Sequence, residues 1–145
     1  MAVIQGKVCW ASVMADRPNT NFTPKWEINV YLDSKNKKIL KDLGVEDKIK
    51  TDDQGEYVKI YRPVETSTGK QRRPPVVIDK NGQPVTEDIG NGSLCAVQFR
   101  VDEWEFNKKT GVRLDLQGVM VLDHIVYNGK DGSELMELIE DNEPF

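Results

Sequence analysis

The stretch Lys25-Trp26-Glu27-Ile28-Asn29-Val30-Tyr31-Leu32-Asp33-Ser34-Lys35-Asn36-Lys37-Lys38-Ile39-Leu40-Lys41-Asp42-Leu43-Gly44 decides the fold class. Its first nine residues alternate, with Trp26, Ile28, Val30 and Leu32 on one face and Lys25, Glu27, Asn29, Tyr31 and Asp33 on the other. That period of two is the signature of a half-buried strand. At Ser34 the period changes: Ile39, Leu40 and Leu43 follow helical spacing, Ser34 is placed to cap the helix, and Gly44 stops it. Lys35, Lys37, Lys38 and Lys41 form the solvated side of that helix. This is the one clear internal helix, and it follows an early strand directly.

Outward from this segment, period-two patterning dominates. A first strand spans about residues 3–14, and a polar loop containing Pro18 separates it from the second at residues 25–33. A third strand covers residues 56–62. Residues 63–75 read as a mobile basic loop with Lys70, Arg72 and Arg73. Residues 76–78 and 84–86 flank Asn81-Gly82, a hairpin-turn signal. Two long strands, about 93–106 and 112–127, are joined by residues 107–111. Strands of that length bend, and Gly118 is the natural kink or bulge. About five long strands, one helix among the early ones, and curvature that closes the sheet predict an all-β, five-stranded Greek-key barrel of the oligonucleotide/oligosaccharide-binding (OB) class. A β-sandwich is the competing arrangement. Residues 1–127 are assigned to the barrel domain. Residues 128–145 are assigned to a spacer, a short helical turn at 133–139, and a flexible acidic tail.

The chain has 145 residues, of which 30% are charged and 38% apolar, and this suits one soluble domain with a modest core. No apolar run approaches the roughly 20 residues that span a bilayer, and no signal-peptide pattern opens the chain. Cys9 and Cys95 lie in strand-like apolar segments and read as buried, reduced thiols. These features predict a cytoplasmic protein. The net charge of −4 conceals an asymmetry: all 20 Lys and Arg precede residue 131, against 18 Asp and Glu there, while residues 131–145 hold six acids and no base. A mildly basic body joined to an acidic tail allows the tail to compete with a polyanion for the body's surface.

The third strand carries the strongest chemical signal. Val58 and Ile60 face one way; Tyr57, Lys59 and Tyr61 face the other, with Arg62 just beyond. Alternating rings and a cation offer stacking faces and phosphate neutralisation to single-stranded nucleic acid. The competing reading is cross-strand tyrosine pairing with a solubilising lysine. Lys25 and Tyr31 on the second strand, and Arg100 with Trp104 on the long strand, extend the face; Lys70, Arg72 and Arg73 can clamp the backbone. Trp26 and Trp10 are read as core, and Lys108-Lys109 as a solubilising loop. Catalytic signals are weak. His124 lies beside Asp123 on a strand, where alternation turns the two apart, and reads as structural. No metal-ligand spacing or phosphate loop is present, so no enzyme activity, cofactor or metal is expected.

The chain resembles the phage single-stranded DNA-binding proteins of the podovirus replication type. The resemblance rests on residues 23–32 followed by the lysine-rich helix, on Ile89-Gly90-Asn91-Gly92-Ser93 leading into a long strand, and on the acidic tip ending in Phe145. That tip is also similar to the Pro-Phe ending of bacterial single-stranded DNA-binding proteins. The resemblance implies an OB-fold that binds single-stranded DNA without sequence preference, acting in phage replication, recombination and repair in the host cytoplasm. It implies a homodimer, and a tail (Glu140, Asp141, Glu143, Pro144, Phe145) that recruits a DNA polymerase or helicase–primase. A protein–protein adaptor and a cold-shock-like RNA-binding barrel are the alternatives.

Overall fold

The computed structural model describes residues 1–21, 23–66 and 68–125; the spacer, the acidic tail with Glu140, Asp141, Glu143, Pro144 and Phe145, and the expected boundary at residue 127 lie outside these. The elements are β1 (Ala2–Ser12), β2 (Lys25–Tyr31), α1 (Ser34–Asp42), a 3₁₀ turn (Glu46–Lys48), β3 (Lys50–Asp52), β4 (Gly55–Pro63), β5 (Val76–Asp79), β6 (Leu94–Phe106) and β7 (Lys109–Asp123). They form one sheet in the order β3-β4-β2-β1-β6-β7-β5, and an additional β4–β7 pairing closes it. β1, β2, β4, β7 and β6 thus form a five-stranded Greek-key OB barrel, as expected, with α1 between β2 and β4. The closing pair is parallel, with Tyr61 opposite Asp115. β3 and β5 are short flanking strands. No helix among the described residues is long and apolar enough to cross a membrane.

Alternation fills the barrel. Trp26, Ile28, Val30, Val58, Ile60, Val97, Phe99 and Leu116 are all essentially inaccessible. On β7 the inward phase changes from Leu114 and Leu116 to Val119 and Val121. The cause is a bulge: Gln98 pairs with Gly118 but Phe99 pairs with Leu116, leaving Gln117 as the extra residue. This lies beside Gly118, where the sequence suggested a bend. A side chain at Gly118 would sit 3.2 Å from the Val76 carbonyl oxygen, so the glycine also admits β5.

A second bulge overturns the expected burial of Trp10. Cys9 pairs with Asn29 and Ser12 with Glu27, so three steps on β1 match two on β2. Trp10 takes a left-handed backbone (φ 51°) and its ring is turned outward, 68% exposed. Other differences are local. Asp33, not Ser34, caps α1 by accepting from the Asn36 N–H at 2.8 Å. Asn107 and Lys108, both at positive φ, make a two-residue turn where a five-residue connection was expected, so β6 and β7 pair down to Phe106–Lys109. The segment between β4 and β5 is not a loose loop: Arg72 N–H donates to the Val64 carbonyl at 2.7 Å and Thr66 N–H to the Lys70 carbonyl at 2.8 Å. The Asn81-Gly82 turn forms, with Asp79 N–H donating to the Gln83 carbonyl at 2.9 Å and Val85 N–H to the Val77 carbonyl at 3.0 Å, but its far side makes an isolated Ile78–Pro84 bridge and no strand, and the strand partner of β5 is β7.

β1 crosses β2 closely at Gly6, where a β-carbon would overlap the Tyr31 carbonyl oxygen. Backbone cannot swing aside as a flexible side chain can. Gly6→Ala is expected to lower stability by about 1–3 kcal/mol in urea unfolding; a loss below about 0.5 kcal/mol, the range of innocuous substitutions, would show that the two strands separate freely there.

Candidate nucleic-acid interface

The antiparallel register of β2 and β4 sets Tyr31 opposite Tyr57, Asn29 opposite Lys59, and Glu27 opposite Tyr61. Because inward positions are filled by the core, these side chains all lie on the outer face. Tyr57, Lys59 and Tyr61 follow one another at about 7 Å, two strand residues apart. The Tyr31 and Tyr57 rings meet edge-to-face with centroids 5.9 Å apart. Lys25 Nζ lies 5.3 Å from the centre of the Tyr61 ring and the Arg113 guanidinium carbon 5.9 Å from it. Lys25, Tyr31, Tyr57, Lys59 and Tyr61 are therefore brought together.

Two polar networks hold this face in position. The Tyr31 hydroxyl donates to Asp52 Oδ2 at 2.7 Å, while Asp52 Oδ1 accepts from the Gln54 and Gly55 N–H groups of the β3–β4 turn. The hydrogen bond to Asp52 raises the hydroxyl's pKa and keeps the Asp52 carboxyl below its usual range. The lock is complete above the ordinary carboxylate pKa and loosens as pH falls through the depressed value. Glu27 is buried, and its Oε2 lies 3.6 Å from Lys59 Nζ and 3.7 Å from Lys25 Nζ. It tethers both lysines beside Tyr61, and Asn19 Nδ2 donates to its other oxygen.

Barrel closure carries the face onto β7 and β6. Asp115, next to Tyr61 across the closing pair, has no exposed surface. Its oxygens meet Arg62 Nη1 at 2.5 Å, Arg113 Nη2 at 3.3 Å, Arg100 Nη2 at 3.7 Å and Arg72 Nη1 at 4.0 Å. Asp102 accepts from Arg100 at 2.6 and 3.1 Å and from Arg113 at 3.4 Å. The hydrogen bond from Arg100 holds the Asp102 carboxyl below its usual range. Four guanidiniums against two carboxylates leave two positive charges in excess. The Nε atoms of Arg72 and Arg113 are buried without a hydrogen-bond partner among the described residues.

The residues singled out from sequence are not equivalent. Arg62 is mostly covered and is held by Asp115 and by the Arg73 carbonyl, which accepts from its Nε at 2.8 Å. Arg100 is half exposed. Trp104, 47% exposed, shares the β6 face with Arg100 and Asp102, and its indole packs against Gly111, where any β-carbon would collide with it. Lys70 and Arg73 are exposed on the hydrogen-bonded turn between β4 and β5. Sequence reasoning missed Arg113, Asp115 and Glu27. The alternation Arg113-Leu114-Asp115-Leu116 was visible, but the buried carboxylate depends on which strand closes the barrel. His124 Nε2 lies 3.0 Å from the Asp88 carbonyl oxygen, tying the end of β7 to the loop before β6. Both cysteines are buried and unpaired, and desolvation pushes the Cys95 thiol up to about 12. No group of His, Cys, Asp and Glu among the described residues is arranged to hold a metal.

No protein-family model matches the chain, and no curated protein matches it by sequence. Solved structures do. The crystal structure of gp2.5, a single-stranded DNA-binding protein encoded by bacteriophage T7, superposes with a TM-score of 0.63 at 15% identity, covering 99% of this chain and 98% of that one. The single-stranded DNA-binding protein of bacteriophage Enc34, solved in complex with single-stranded DNA, gives 0.61 at 12% identity over 87% and 89% of the two chains. The C-terminally truncated Enc34 protein gives 0.60 at 12% identity over 85% and 87%. The fold is shared with phage single-stranded DNA-binding proteins.

Asp115 organises the arginines, and removing it leaves the largely covered Arg62, Arg72 and Arg113 without the buried carboxylate that pairs them. Asp115→Ala is expected to cost about 3–5 kcal/mol in chemical unfolding. A loss under about 1 kcal/mol, no more than an exposed ion pair is worth, would show that the cluster is held by other means.

Proposed function

We propose that this chain is a non-enzymatic single-stranded DNA-binding protein that coats DNA during phage replication, recombination and repair. The observation that carries the reading is the outer face on which Tyr31 meets Tyr57, Tyr61 meets Arg113, and Arg113 joins the arginines around Asp115, with Trp104 at a like-facing position of β6. Bases stack on Tyr57, Tyr61, Tyr31 and Trp104. Phosphates are neutralised by Lys25, Lys59, Lys70, Arg72, Arg73 and Arg100, with Arg62 acting mainly through the buried aspartate. Stacking and backbone charge are indifferent to base identity, which suits a coating protein. The solved complex of the Enc34 protein with single-stranded DNA supports the same use of this fold.

The acidic segment 131–145 is read as an imitation of the polyanion. It rests on the basic face until DNA displaces it, and Glu140, Asp141, Glu143, Pro144 and Phe145 then engage a polymerase or helicase–primase. A homodimer in the host cytoplasm is the assembly and location this reading favours.

Titration of tyrosine and tryptophan fluorescence with oligo-dT is expected to show quenching. Tyr57→Ala or Tyr61→Ala should each weaken binding by about 1–3 kcal/mol, and log affinity should fall linearly with log salt at about 0.7 per neutralised phosphate. Affinities unaffected by either substitution would remove the platform, and a preference for oligo-U would favour an RNA-binding barrel.

Deleting residues 131–145 is expected to tighten oligo-dT binding, most at low salt, where charge competition is least screened. Equal affinities of the full and shortened chains at low salt would dismiss the competition.

A further inference from the structure

Trp10 lies outside the face described above and has no role in it. It is a bulky residue in the left-handed region, at the extra position of a bulge, with its indole in solvent. A large aromatic side chain rarely takes that conformation, and solvent does not reward its exposure. The position is nevertheless held: Asn91 Oδ1 accepts the Trp10 N–H at 2.8 Å, and Gly92 N–H donates to the Val8 carbonyl at 2.8 Å, pinning the loop before β6 against the bulge.

The indole stands between two surface grooves. One, of about 300 Å³, is bounded by Lys7, Cys9, Tyr31, Gln54 and Asn91 and joins Trp10 to the tyrosine face. The other, of about 530 Å³, is bounded by Asn19, Asn21, Glu27, Asp88 and Asn91. Their sizes are those of small-ligand sites. Their charges differ. Lys7 is exposed in the first. In the second, Glu27 and Asp88 are carboxylates, and the one nearby guanidinium, Arg17, already pairs with Asp88 at 3.1 Å. Both carboxylates are already paired, Glu27 with Lys25 and Lys59 and Asp88 with Arg17, so the lining of that second groove offers a phosphate no unpaired cation among the described residues, while a neutral heterocycle needs none. Asn91 uses its side-chain oxygen on Trp10, and its amide nitrogen has no partner among the described residues. It is a donor suited to a base carbonyl.

We propose that Trp10 is a further nucleobase-binding site: one base of the bound strand stacks on its indole with its edge in the Asn19–Asp88–Asn91 groove. An adjacent phosphate passes Lys7, so the DNA track continues from β2 across β1. This rests on the reading of the chain as a single-stranded DNA-binding protein, and extends it to a strand and a residue which that reading does not use.

The test uses the full chain. In a Trp104→Phe background the remaining tryptophans are exposed Trp10 and buried Trp26, so acrylamide-accessible emission reports on Trp10. Oligo-dT is expected to quench that emission and protect it from acrylamide. Trp10→Asn, whose side chain tolerates the left-handed backbone, should keep the urea midpoint yet weaken oligo-dT binding about 5- to 150-fold, the range that stacking of one base spans. Its salt dependence should not change, because a lost stacking contact releases no counterions. Trp10→Tyr should restore most of the affinity. Unchanged affinity of Trp10→Asn, or a Trp10 that stays fully acrylamide-accessible in the saturated complex, would overturn this site while leaving the tyrosine face intact. Shielding of Trp10 in DNA-free protein as its concentration rises would reassign it to a contact between copies and also overturn the proposal. If wild-type protein binds no oligo-dT, the broader reading fails first, and this site with it.

Discussion

One buried carboxylate couples the closure of the barrel to the charge of its surface. β4 and β7 meet in a parallel pair, Tyr61 against Asp115, and that pairing completes the ring among the described residues. A lone ionised carboxylate without exposed surface is costly unless it is paired and hydrogen-bonded. Here it is surrounded by guanidiniums from β4, the β4–β5 connection, β6 and β7. Each of those segments must be in place for Asp115 to be satisfied, so the same contacts that shut the sheet also fix where the arginines stand. Their planar forks lose little freedom when held this way.

The neighbouring aromatic face obeys the same logic with weaker groups. Tyr31 is held at its hydroxyl by Asp52, and Lys25 and Lys59 at their ammonium groups by Glu27. Rings and cations presented on β-strands with their tips anchored lose less conformational entropy on meeting a flexible ligand than free surface side chains would. Rigid strands, not loops, supply the spacing of about 7 Å between successive outward positions. The surface is therefore organised before any ligand arrives.

Much of the fold could be read from the chain because it depends on local patterning. The alternation of residues 25–33 and 56–62, the helix after residue 33, and the bend near Gly118 all appear where the side-chain periods place them. The outward placement of Lys25, Tyr31, Tyr57, Lys59 and Tyr61 was legible for the same reason: once one parity is apolar, the other must face out. Trp10 was misread because a bulge inserts a residue and reverses parity, and nothing in Val8-Cys9-Trp10-Ala11 announces it. Asp115 and Arg113 were missed because their partners come from strands joined only by closure. Sequence displays what a strand does to its neighbours along the chain; it conceals what a barrel does at its seam.

Placing two buried acids beneath a face rich in cations looks contradictory until their distances are considered. Glu27 and Asp115 flank Tyr61 from β2 and β7, and each is already surrounded by more positive groups than it can neutralise. Their charge is screened at close range, while the excess on the outer guanidiniums and ammoniums remains directed to solvent. Without the acids, clustered arginines would repel one another and splay apart, and their positions would be set by solvent instead of by the sheet. The acids thus exchange raw electrostatic attraction for geometry. Rings and cations whose positions are set by strands keep their spacing whatever the ionic strength, whereas attraction from additional unanchored charge would be screened by salt.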